Sequence, residues 1–69
     1  MTQNWFLLYS TRNLPEANII KGMLEENGVQ VMIVNKQDSS YLNFGDIEVY
    51  VPNHTKEIAQ QLLNQGLAN

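Results

Sequence analysis

At 69 residues the chain carries one small core and no more, because a chain of this size hides only about 60% of its unfolded surface on folding. Hydrophobic residues make up 43% and four basic side chains face seven acidic ones, a net charge of −3; the composition is globular and gives no counterion-release drive towards nucleic acid or anionic lipid. There is no cysteine and a single histidine, His54, so of the three devices that hold very small domains together (disulfide, structural metal, oligomerisation) only self-association remains.

The first residues, Met1-Thr2-Gln3-Asn4, lack the charged and apolar regions of a signal peptide, and no apolar run nears the ~20 residues of a membrane span. The expected setting is the cytoplasm, with neither membrane nor nucleic acid as a partner. Trp5 to Ser10 is an aromatic and apolar run ended by Thr11-Arg12-Asn13, which predicts a first strand leading into a loop. Asn13 with Glu16 three residues later reads as a capping box with Asn in place of Ser or Thr, and Pro15 fits a first helical turn. Ala17, Ile20 and Leu24 recur at helical spacing, Ile19 and Met23 widen the stripe, and Gly28 supplies the stop. Val29 to Asn35 is rich in β-branched residues and predicts a second strand.

Lys36 to Gly45 is a polar connection interrupted by Tyr41, Leu42 and Phe44, longer than an ordinary hairpin loop. Asp46 to Val51 alternates cleanly, so Ile47, Val49 and Val51 face one layer while Glu48 and Tyr50 face the other. Pro52-Asn53 ends that strand, and Ile58, Ala59, Leu62 and Leu63 mark a second amphipathic helix that Gly66 is expected to close. The order strand, helix, strand, strand, helix predicts an α+β, ferredoxin-like βαββα two-layer sandwich. Its sheet order is 1-3-2, with both helices on one face and residues 1–69 as a single domain. The usual fourth strand is missing, which leaves the first strand at an exposed edge.

Trp5 and Tyr9, Glu16-Ala17, Leu24-Glu25, Gly28, Val49 and Val51, Ala59 and Leu62-Leu63 together resemble a bacterial family of short domains labelled "putative prokaryotic signal-transducing proteins". The resemblance runs from Trp5 to Leu63 through signatures of fold rather than of catalysis. It implies a ferredoxin-like fold distantly similar to the nitrogen-regulatory PII proteins, and it implies no ligand.

Alternation along the first strand buries either Phe6 and Leu8 or Trp5, Leu7 and Tyr9; the polar groups of Trp and Tyr prefer a wet or interfacial setting, so Phe6 and Leu8 are expected inward and Trp5, Leu7 and Tyr9 on the uncovered sheet face beside Met32, Val34 and Tyr50. Such a patch marks an interaction surface. An aromatic open sheet is also used by RNA-recognition domains, but here Glu48 would project among the bases and only Arg12, Lys21, Lys36 and Lys56 could meet phosphates.

Arg12, ahead of a helix N-terminus, is an anion candidate of the kind acylphosphatases use. Their glycine-bearing cradle is absent and Pro15 deletes a donor, so a solvated arginine is the plainer reading. His54 lacks a second histidine for a metal site, and no spacing ties it and a carboxylate to Ser10, Ser39 or Ser40 as a triad. Asp38, Tyr41 and Phe44 are candidate loop contacts, in the position that the effector loop takes in PII proteins; the plainer reading has the loop's apolar residues folding back on the core.

No catalytic residue, cofactor or metal is expected. The leading expectation is a regulatory or adaptor module that works by protein association, as a homo-oligomer or with an unidentified protein partner. The alternative is a small-molecule or anion sensor at subunit clefts, and an enzyme comes third.

Overall fold

The structure is a computed structural model that describes residues 4–37 and 46–67. Its elements are β1 (Trp5–Thr11), α1 (Leu14–Glu26), β2 (Met32–Asn35), β3 (Ile47–Pro52), a 3-10 turn (Asn53–Thr55) and α2 (Lys56–Leu67). β3 lies between β1 and β2 and runs antiparallel to both, giving the sheet order β1-β3-β2. Both helices cover one face of that sheet. Their side chains Ala17, Ile20, Leu24, Ala59 and Leu63 share a single buried cluster with Val29 and with Ile47, Val49 and Val51 of β3. This is the α+β, ferredoxin-like arrangement that the order of elements predicts.

Local chemistry sets both ends of α1. The Asn13 side chain accepts from the Glu16 backbone N–H at 3.0 Å, satisfying one of the helix's orphan donors. At the other end Val29 N–H donates to Leu24 O and Gly28 N–H to Glu25 O, a Schellman closure made possible by Gly28 at φ 82°. Val29 and Leu24 then meet in the core, the hydrophobic contact that accompanies this stop.

That closure explains why the second strand is shorter than its composition suggests. Val29 is spent on ending α1, and pairing with β3 begins only at Met32.

Three further expectations are corrected. Gly66 does not close α2, which continues to Leu67; the left-handed glycine among the described residues is Gly28. Ile19 and Ile58, read as part of the buried stripes, are 71% and 56% exposed. The third correction is in β1. Phe6 pairs with Val51 and Leu7 with Tyr50, but the next pair is Tyr9 with Val49, so Leu8 is an extra residue that forms a β-bulge. Beyond the bulge the faces exchange. Tyr9 lies on the side of Val49, beneath the helices, and packs against the core with Phe6 and Leu8.

Candidate functional site

Paired residues in a ladder share a face, so the pairing registers decide which side chains the helices leave uncovered. Across β1, β3 and β2, one row on the uncovered face holds Leu7, Tyr50 and Met32, and the next holds Ser10, Glu48 and Val34. Trp5 pairs with Pro52 at the end of the same strands. The structure therefore brings together five of the predicted interface residues: Trp5, Leu7, Met32, Val34 and Tyr50. Leu7 is 43% exposed and the other four are half-buried.

Tyr9 leaves this group. Its hydroxyl donates to Glu16 Oε2 at 3.1 Å and the Thr11 hydroxyl donates to Glu16 Oε1 at 2.6 Å, so a carboxylate in the first turn of α1 is held by two residues of β1. The capping box is accordingly half made. Asn13 caps Glu16, but the Glu16 side chain turns to the strand and the Asn13 N–H donates to Thr11 Oγ1 instead. The hydrogen bond to Glu16, then partial desolvation, then the carboxylate's charge push the Tyr9 phenol above its ordinary value.

Glu48, placed on the uncovered face by the alternation of β3 but not among the candidate residues, is its central polar group. Its side chain is 16% exposed, and Oε1 both accepts from the Tyr50 hydroxyl at 2.8 Å and lies 3.5 Å from Lys36 Nζ. The Tyr50 phenol is pushed up for the same reasons in the same order: the hydrogen bond, partial burial, and the charge of Glu48. Spacing gives the only sequence signal here, since residues 48 and 50 of one strand share a face.

The far end of the face is charged. Arg12 Nε lies 3.5 Å from Asp46 Oδ1, with both side chains at least half exposed, and Lys36 N–H donates to Asp46 O. Gln37 Nε2 donates to Arg12 O, tying the end of β2 to the residue that follows β1. Arg12 is thus an exposed ion-pair partner, and the nearby helix terminus already carries Glu16, which disfavours an anion there.

Both free edges of the sheet are blunted. The outer strand β1 carries the bulge and β2 has only four residues. On the helical side Ile19, Ile20, Met23, Leu63 and Gly66 line a hollow of about 70 Å³, well below the ~300 Å³ at which small-molecule pockets begin. His54 sits exposed in the 3-10 turn, and among the described residues no three His, Cys, Asp or Glu side chains gather as metal ligands. The loop candidates Asp38, Tyr41 and Phe44 lie outside the described residues.

Against known families, the model described as "Putative prokaryotic signal transducing protein" matches residues 5–66. The chain belongs to that family. Comparison with curated proteins and with solved structures gave no match. The family is described by signalling rather than by a reaction, and its span covers all three strands and both helices up to Gly66. No helix among the described residues is long and apolar enough to cross a membrane.

Proposed function

We propose that residues 1–69 form one regulatory or adaptor module of signal transduction, working in the cytoplasm by protein–protein association rather than by catalysis. The observation that carries this reading is the open sheet face: Trp5, Leu7, Tyr50, Met32 and Val34 share it with Glu48, whose Oε1 is held by Tyr50 and Lys36. Aromatic and apolar side chains around an oriented polar group are the composition of the buried centre of an interface.

The face is favoured over the strand edge because both edges are blunted by features that native sheets use against pairing. The family's signalling description supports the same class of activity. The loop around Asp38, Tyr41 and Phe44 is kept as a second contact region, since its flanking residues Lys36 and Asp46 stand at one end of the face.

The test is capture of cellular partners on the immobilised chain and on its Leu7→Glu variant. Leu7 is exposed at the face, so the variant should keep its circular dichroism and lose the captured partner. An unchanged capture would remove the face from the account.

A further inference from the structure

We propose that the open sheet face docks a second copy of the same chain. The inference rests on reading that face as a docking surface and goes on to name its occupant.

Charge is the first argument. The chain carries −3, which would oppose self-association if it were spread evenly. The charged groups of the open face are Lys36 with Glu48 and Arg12 with Asp46, two oppositely charged pairs that leave the face neutral. Among the described residues the remaining charge therefore lies elsewhere, on Glu16, Glu25, Glu26 and Glu57 set against Lys21 and Lys56, four acidic side chains against two basic ones. Two copies can meet on this face without like-charge opposition, and on their helical sides they cannot.

Hydrogen-bonding capacity is the second argument. Both contacts to Glu48 use Oε1, and among the described residues neither Glu48 Oε2 nor Trp5 Nε1 has a hydrogen-bond partner. Neither atom is sealed inside the fold, because among the described residues no buried side-chain polar atom lacks a partner. One face thus presents a spare acceptor near one end and a spare donor near the other, with Leu7, Tyr50 and Met32 between them. A two-fold axis lying across the strands, between the two faces, reverses strand direction and brings the donor of each copy towards the acceptor of its mate, which is the self-complementarity an isologous contact requires.

Size is the third. With no cysteine, one histidine and a buried cluster of nine among the described residues, association is the stabilising device still open to the chain. Three short strands present a face that would bury less than about 1,200 Å² in total, the range of weak and reversible complexes.

The test is sedimentation or light scattering over a concentration series. The intact chain should rise from 7.9 kDa towards twice that mass and return on dilution. Leu7→Glu should stay monomeric at every concentration with unchanged circular dichroism. Trp5→Phe, which keeps a ring and deletes the N–H, should weaken association several-fold. An intact chain that stays monomeric throughout would overturn the second copy as occupant and leave the face to a different protein. A dimer indifferent to Leu7→Glu but dissociated by Ile19→Glu would overturn the inference and the docking role of the face together.

Discussion

The hydroxyl of Tyr9 donates to Glu16 Oε2 at 3.1 Å, and this one contact ties the strand to the helix that follows it after a bulge has turned the tyrosine inward. Thr11 completes the clasp from the same strand. Glu16→Ala should cost about 1.5 kcal/mol, the low end for hydrogen bonds to a charged group, because the site is only partly buried. Urea unfolding checks this, and Glu16→Gln should recover part of the loss.

Alkaline pH should weaken the fold through both tyrosines. Tyr9 and Tyr50 each donate to a carboxylate, and each phenol is raised above its ordinary value of 10.0. A raised folded value means that the stabilisation is complete below about pH 10 and is lost as pH rises through the folded value. Unfolding midpoints should be level from about pH 8 to 9 and fall above 10, and the double variant Tyr9→Phe with Tyr50→Phe should flatten that fall.

Two glycines should respond in opposite directions. Gly22 lies mid-helix in α1 with nothing near the place a Cβ would occupy, so Gly22→Ala should stabilise by about 0.5–1 kcal/mol. Gly28 holds φ 82° in the stop of α1, and Gly28→Ala should destabilise by about 1–2 kcal/mol. Thermal melts of the two variants compare them directly.

Deleting Leu8 should be better tolerated than a deletion in a strand normally is. Without it Leu7 opposite Tyr50 and Tyr9 opposite Val49 become consecutive pairs, so the register continues unbroken. The cost is the packing of Leu8 against the core, on the order of 1–2 kcal/mol. An amide spectrum that keeps the β1–β3 contacts at Tyr9 and Val49 would bear this out.

Wherever one residue decides local geometry, the sequence was legible. Asn13 announces the start of α1, Gly28 its end, and the alternation of β3 its two faces. The order β1-β3-β2 follows from the crossover between the parallel strands β1 and β2, which leaves room for β3 between them. Strict alternation failed at Leu8, because a bulge adds a residue without leaving a compositional mark. Gly66 was misread because a glycine near a helix end is a stop only when the backbone there needs a positive φ. Ile19 and Ile58 follow helical spacing, but two short helices on a three-stranded sheet bury narrower stripes than that spacing allows. By the pairing register Trp5, Leu7, Met32, Val34 and Tyr50 fall on one side of the sheet; Tyr9 went with the bulge, and Glu48 gained its meaning only from the distances to Tyr50 and Lys36.

The central claim is that the open sheet face is where another protein surface sits. The most direct measurement places a photo-crosslinking side chain at Leu7 on the face, or at Ile19 on the helical side, and compares covalent adducts formed in living cells. The account predicts adducts from position 7 and none from position 19. Adducts from position 19 alone would contradict it.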